Sequence, residues 1–209
     1  MNFVEDLNAG VEALGLALPE GAQEKLLAYL VLLAKWNRTY NLTAVRREDE
    51  MLTHHLLDSL AVLPVLATDL PGGTGVTIAD VGSGAGLPGL VLAMARPDWQ
   101  IASVEANQKK AAFQQQAKIE LGLSNVSIHC DRVELIAGVF TAVISRAFAG
   151  LADFVRSAGH LSNRLLAMKG HYPAEEVAAL PAGWRLAASH ELRVPGLDAQ
   201  RHLLVLEKT

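Results

Sequence analysis

The run Ile78-Ala79-Asp80-Val81-Gly82-Ser83-Gly84-Ala85-Gly86-Leu87-Pro88-Gly89 joins an apolar segment that reads as a buried strand (76–81) to an apolar helix (87–96) through a turn built on glycine. Glycines at this density let the backbone reverse sharply and let a ligand approach main-chain N–H groups with no Cβ in the way. A nucleotide-like cofactor suits such a turn. Two frames overlap in it. Gly84-Ala85-Gly86-Leu87-Pro88-Gly89 satisfies G-x-G-x-x-G, the dinucleotide fingerprint. Asp80-x-Gly82-x-Gly84-x-Gly86 instead puts an acid at the strand end, beside the loop. A second acid, Glu105, closes the next apolar run (101–104), where it can accept both ribose hydroxyls of NAD or of S-adenosylmethionine (SAM) alike. Asp80 discriminates: it repels a pyrophosphate and attracts the ammonium of a methionine moiety. The residues favour SAM, held by Asp80, Gly82, Gly84 and Glu105. An NAD site, or a turn that merely packs helix on strand, is the alternative.

The elements that must position this loop follow from periodicity. Phe3, Leu7, Val11 and Leu14 recur at helical spacing before Gly15, and further helices are predicted over 19–36 and 48–66. The glycine-rich stretch Pro71-Gly72-Gly73-Thr74-Gly75 then separates a helical segment, 1–70, from a SAM-binding domain, 71–209. From there strands (76–81, 101–105, 126–129, 142–145, 165–169) alternate with helices (87–96, 108–121, a short one from Val133, 151–160). Two late runs, 184–192 and 202–207, have no helix of useful length between them. Alternation implies a parallel sheet covered on both faces, and the closing pair implies one antiparallel strand. The expected class is α/β: a SAM-dependent methyltransferase Rossmann-like sheet, mostly parallel with one antiparallel strand near the end, and a helical N-terminal appendage.

With 209 residues, 51% of them hydrophobic, the chain can bury a full core. One cysteine, Cys130, excludes an intrachain disulfide and fits a reducing compartment. Glu5 and Asp6 stand where a basic leader would be, and no stretch reads as a membrane span, so the expected location is the cytoplasm, with no membrane partner. Seven scattered histidines give no metal-ligand spacing, and neither a G-x-S-x-G elbow nor H-E-x-x-H is present. The net charge of −4 argues against a generally basic nucleic-acid binder but allows a local footprint. Lys35, Arg38, Arg46 and Arg47 fall within 35–47 with no acid among them, interleaved with Trp36, Asn37, Tyr40 and Asn41, a mixture able to hold phosphates and stack bases. A solvated helix end would look the same.

Taken together, the segments Lys35-Trp36-Asn37-Arg38-Thr39-Tyr40-Asn41-Leu42-Thr43, His55-Leu56-Leu57-Asp58-Ser59, 80–89, Ile144-Ser145-Arg146-Ala147-Phe148-Ala149, Met168-Lys169-Gly170 and Arg201-His202-Leu203 resemble the bacterial RsmG (GidB) family across nearly the whole chain. The resemblance implies a SAM-dependent methyltransferase acting on N7 of a guanosine in the 530 loop of 16S ribosomal RNA, within the small subunit or an assembly intermediate. It also implies cofactor contacts at Gly82, Leu87, Val133, Glu134 and Arg146. Asp131, where the family often carries a small residue, could add a contact to the adenine amino group.

Guanine N7 carries a lone pair in the neutral base, so methylation there needs placement and no deprotonation. Because N7 lies on the edge that A-form RNA buries in its deep groove, the target is expected to be an exposed loop base. A donor facing O6 would orient the ring while leaving N7 free; Arg146 and Lys169 are the catalytic candidates, with Phe148 as a stacking face. Both cations could instead simply pair with acids at the sheet edge. The expected RNA-binding face is Lys35, Arg38, Arg46, Lys109, Lys110 and Lys169. An NAD-dependent oxidoreductase and a non-enzymatic RNA-binding protein are the competing classes.

Overall fold

The computed structural model describes residues 2–70, 75–146, 148 and 150–209. The expected boundary at 71–74, and Ala147 and Ala149 beside Arg146, lie outside the described residues. One sheet contains β1 (Thr77–Val81), β2 (Gln100–Val104), β3 (Val126–His129), β4 (Ala142–Arg146), β5 (Arg164–Lys169), β6 (Trp184–Glu191) and β7 (His202–Lys208), in the order β3-β2-β1-β4-β5-β7-β6. The first five are parallel, and β7 runs antiparallel between β5 and β6. A dinucleotide-binding sheet of order 3-2-1-4-5-6 has no such inserted strand.

The strand pleat sends alternate residues to two separate cores. Ile78, Ile101, Ile144 and Leu166 join an apolar cluster with residues of α1 (Phe3–Ala13), α2 (Ala22–Tyr40), α6 (Gly89–Ala95) and α7 (Gln108–Glu120). Ala79, Val104, Val143 and Leu165 face the opposite cluster, built with Leu151, Phe154 and Val155 of α8 (Leu151–Ala158) and edged by Val177 of α9 (Ala174–Ala178). Leu7, Leu26, Leu33, Leu56 and Leu60 of the first 70 residues belong to the first cluster, so the helical segment shares its core with one face of the sheet.

Helix boundaries depart from the periodic reading for local reasons. α2 runs on to Tyr40, where Trp36 and Tyr40 stack one turn apart, and ends at Asn41 in the left-handed conformation (φ 52°) that asparagine tolerates. The helix expected over 48–66 is broken into α3 (Glu48–Met51), a π-helical turn (Leu52–Leu57), α4 (Asp58–Leu60) and α5 (Leu63–Asp69). α5 restarts with Pro64, which has no N–H to continue the ladder. By length and composition Glu48–Asp69 would pass for a membrane-crossing helix, contrary to the sequence reading, yet 67% of its apolar window is buried inside the molecule, as in a core helix. α6 begins at Gly89, not 87, because the preceding glycine turn occupies 82–88.

That turn contains a glycine with no alternative. Gly86 has φ +85°, and a Cβ there would lie 1.6 Å from Cδ1 of the fully buried Leu90. Gly84 has φ +60°, but a Cβ there meets nothing within 4 Å. Gly84→Ala therefore carries only the left-handed backbone cost, about 1 kcal/mol, whereas Gly86→Ala adds overpacking and should lose roughly 2–4 kcal/mol. Urea unfolding of both variants checks this; equal losses would mean the loop repacks freely around Leu90.

Candidate active site

Loops at the C-terminal ends of parallel strands converge on one edge of the sheet, and two cavities open there. The first, about 360 Å³, is lined by Gly82, Val104, Glu105, Ala106, Asp131, Arg132, Val133, Glu134 and Phe148. It brings together Gly82 and Glu105 with the Val133–Leu135 3₁₀ turn, as the sequence expected of a cofactor cleft. A Cβ on Gly82 (φ +66°) would meet no atom of the described residues within 4 Å, which leaves space at this turn for a ligand. Glu105 is 8% exposed; its Oε2 accepts the Gly84 N–H at 2.8 Å and its Oε1 the Asn107 N–H at 2.8 Å. A carboxylate fixed by two amides still has lone pairs for ribose hydroxyls. Glu134 is exposed, and its own backbone N–H, with the Ser157 hydroxyl, holds its carboxyl below the usual carboxylate range. The Phe148 ring packs against Phe154 at 5.2 Å.

Asp80, Gly84, Leu87 and Arg146, also expected at the cofactor, do not line this cleft, and Asp80 and Leu87 are buried. Oδ2 of Asp80 accepts the Gly89 N–H at 2.7 Å at the start of α6, while Oδ1 is buried without a partner. Burial pushes the Asp80 carboxyl up to about 7; the Gly89 amide and Arg146 oppose the shift, and Glu105 adds to it. An unpartnered carboxylate oxygen just before an open glycine turn is the polar environment that a cationic amino-acid moiety would complete. The residues present therefore fit SAM.

The second cavity, about 400 Å³, is lined by Val45, His54, His55, Asp58, Arg146, Met168, Lys169, Gly170, Leu192, Arg201 and His202. Arg146, at the end of β4, donates through Nη1 to Oδ2 of Asp58 (3.2 Å) and to the His54 carbonyl (2.9 Å), and Nε of Arg201 donates to Oδ1 of the same Asp58 (2.8 Å). Asp58 is 2% exposed, so one buried acid from the helical segment fixes two guanidinium groups from β4 and from the start of β7. Lys169, with its side chain 13% exposed, pairs with Glu176 at 2.9 Å and donates to the Phe148 carbonyl at 3.3 Å. The pairing with acids that the sequence left open for Arg146 and Lys169 is thus present for both. It ties Lys169 to the main chain of a residue lining the first cavity.

His55 is the one buried histidine of this site among the described residues, and sequence reasoning gave it no role. Its Nε2 lies 2.8 Å from Thr43 Oγ1, which also accepts the Val45 N–H, while buried Asn37 binds both the Thr43 N–H and the Val45 carbonyl. These contacts hold the 43–45 strap as a wall of the cavity. Burial, reinforced by Arg146, lowers the His55 pKa to about 4, leaving a neutral imidazole of little basicity. Asp58 and Arg201 were also missed as site residues. An acid within the apolar stretch 56–63 was the available signal for Asp58, but only the fold reveals its partners, 88 and 143 residues away.

The other cations, exposed except for the half-buried Lys110, divide differently. Lys35, Arg38 and Arg46 lie on or just beyond the C-terminal half of α2, and Lys109 and Lys110 start α7; the two helices pack through Trp36 and Phe113 at 5.7 Å. Arg38 makes a loose pair with Glu48 (3.6 Å) with 78% of its side chain exposed, and Arg46 donates to Asn41. Two lysines in the first turn of α7 oppose the helix dipole, an arrangement that an external anion would relieve. Lys169 is not part of this exposed set.

Residues 22–204 match the family model GidB, described as rRNA small subunit methyltransferase G. The chain is 55% identical over 205 residues to "Ribosomal RNA small subunit methyltransferase G" of Azoarcus sp. (strain BH72), covering 95% of this chain and 93% of that protein. It is 52% identical to the protein of the same name from Neisseria meningitidis serogroup C / serotype 2a, each covered in full. Among solved structures, magnesium protoporphyrin IX methyltransferase from Synechocystis PCC 6803 with bound SAM shares the fold at a TM-score of 0.58 and 15% identity, over 87% of this chain and 97% of that one. TrmN from Thermus thermophilus does so at 0.56 and 20%, over 76% and 53%. With a sheet of methyltransferase topology, a glycine loop following a buried acid, and a family match over most of its length, the chain belongs to the rRNA small subunit methyltransferase G (GidB) family.

Proposed function

We propose that this protein methylates N7 of a guanosine in the 530 loop of 16S ribosomal RNA, as part of the small subunit or of an assembly intermediate. Family membership makes it a SAM-dependent rRNA methyltransferase. The observation that carries the finer reading is the pair of cavities on either side of the end of β4: a glycine-floored cleft that fits SAM, and a cavity walled by two arginines and a neutral histidine. The N7 position and the 530 loop come from the resemblance of the segments around Arg38, Asp58, Arg146, Lys169 and Arg201.

SAM, when bound, supplies an electrophilic methyl group. Asp80, Gly82, Gly84, Leu87, Glu105, Val133 and Glu134 would hold it, with Arg146, which lines the second cavity, as a further contact. The chain's own work is placement. Arg146, oriented by Asp58, and Lys169, oriented by Glu176, present donors to the O6 edge of guanine and leave N7 unprotonated and free. Since N7 has no proton to lose, no general base is required, and a His55 with a pKa near 4 could not serve as an efficient one.

Three outcomes test this reading. The protein should form N7-methylguanosine in 16S RNA, and Arg146→Ala should lower methylation at least about tenfold, more than His171→Ala does. Mass-spectrometric mapping of the modified base checks both; a methyl group at any other position, or a larger loss at His171, sinks the assignment. The second concerns pH. A bound cation favours the Asp80 carboxylate, so binding below pH 7 must displace a proton and SAM affinity should rise from pH 5.5 to 7. Calorimetry on wild type and Asp80→Asn separates this from titration of SAM itself; an equal slope in the two proteins removes Asp80 from the site. The third concerns the basic face. Arg38→Glu or Lys109→Glu should raise KM for RNA and leave KM for SAM unchanged. Each should also lower the slope of log affinity against log salt by about 0.7–0.9 for every phosphate the variant fails to neutralise. Kinetics at two salt concentrations decide it, and unaltered RNA kinetics in both variants would reduce these residues to solvated helix ends.

A further inference from the structure

We infer that Tyr29, on the helical segment and remote in sequence from the cofactor motif, is a positioning residue for SAM: its hydroxyl fixes the peptide after Ala85 in the glycine loop. The inference rests on the assignment of that loop to SAM.

Every regular hydrogen bond stops where β1 ends, so each peptide of the loop is oriented by whatever partner the fold supplies. Gly82 and Ser83 donate to the Val104 carbonyl at 2.9 and 3.2 Å, Gly84 donates to Glu105, and Gly86 and Leu87 donate to the Ser83 carbonyl at 2.8 and 2.9 Å. Two successive carbonyls at the apex, those of Gly84 and Ala85, have no partner from the sheet. Gly84 O accepts from Nε2 of Gln114 at 2.8 Å, and Ala85 O accepts from the Tyr29 hydroxyl at 2.7 Å. Both side chains are fully buried. Gln114 is itself locked by Ser83 and Ser103 at 2.8 and 2.6 Å, and the Tyr29 ring packs against Phe113, the neighbour of Gln114, with centroids 5.9 Å apart.

Ala85 stands between two glycines with positive φ, Gly84 at +60° and Gly86 at +85°. A peptide flanked by glycine can rotate at little steric cost, so the course of the loop from Gly82 onward depends on the bonds that hold it. The Tyr29 hydroxyl holds the carbonyl and the Ser83 carbonyl holds the Gly86 N–H, so turning this peptide would break both bonds at once. The Tyr29 hydroxyl is kept as a donor: burial drives its pKa far above the ordinary phenol value, with Arg146 opposing and Asp80 assisting. Loss of this one oxygen leaves the peptide held only through the Gly86 N–H on the Ser83 carbonyl, without removing the ring, and the apparent affinity for SAM falls by the fraction of loops left in the competent orientation.

Tyr29→Phe is the experiment, with Leu7→Val as a partner variant that trims the same apolar cluster from α1 and removes no hydrogen bond. SAM binding is measured by calorimetry, and steady-state kinetics are measured with both substrates. The expected result is a three- to tenfold rise, on the order of one missing hydrogen bond, in Kd and KM for SAM in Tyr29→Phe. Its kcat and KM for RNA should stay within about twofold of wild type. Leu7→Val should melt earlier with wild-type SAM affinity. An unchanged SAM Kd in Tyr29→Phe overturns the inference, as does a matching weakening of SAM binding in Leu7→Val, which would make the effect general loosening of the core. Failure of the wild-type protein to bind SAM at all would instead overturn the cofactor assignment and the inference with it.

Discussion

Between Val81 and Gly89 the chain must turn from a buried strand into a buried helix while keeping part of its backbone bare for a ligand. A backbone without local partners has to be held by distant ones, and much of the molecule is arranged to provide them. Glu105 comes from the end of β2, Gln114 from α7, and Tyr29 from α2, while Asp80 reaches from β1 to the first amide of α6. The helical segment is therefore more than an attachment to a finished sheet. It contributes the hydroxyl under the loop, the acid between the two arginines, and the strap that walls the second cavity.

This explains what the sequence could and could not convey. Alternating strand and helix patterns, the glycine spacing and the acid after β2 are local signals; they located the strands to within a residue or two and pointed to Gly82, Glu105 and Val133, which line one cleft. Helix ends were less legible. The departure from α-helical geometry at 52–57 has no marker in single-residue propensities, although π turns often sit where a helix serves a site, and here His54 and His55 both line a cavity. Least legible were the polar contacts of long sequence separation. Tyr29 looks like one more apolar member of a helix face, and its reach to Ala85, 56 residues on, exists only once α2 is laid across the β1–α6 turn.

Electrostatics organise the two cavities in opposite senses. The first cavity is lined by the Glu105 carboxylate, and the buried Asp80 at the end of β1 has one oxygen without a partner among the described residues, so a ligand with positive charge would gain by entering. Around the second cavity two arginines share one acid, leaving a positive balance that suits the electronegative O6 edge of guanine and its flanking phosphates. A histidine kept neutral by burial and by Arg146 adds no charge to this balance at physiological pH. In a transfer that begins with a neutral nucleophile, a strong base in the cavity would have nothing to remove, and an added positive charge close to N7 would lower its nucleophilicity. On the proposed reading, Arg146 held through Asp58 would orient the base as a fixed cation and take no proton from it. The cost of burying Asp58 is offset by two charged hydrogen bonds, which also join the helical segment to β4 and β7.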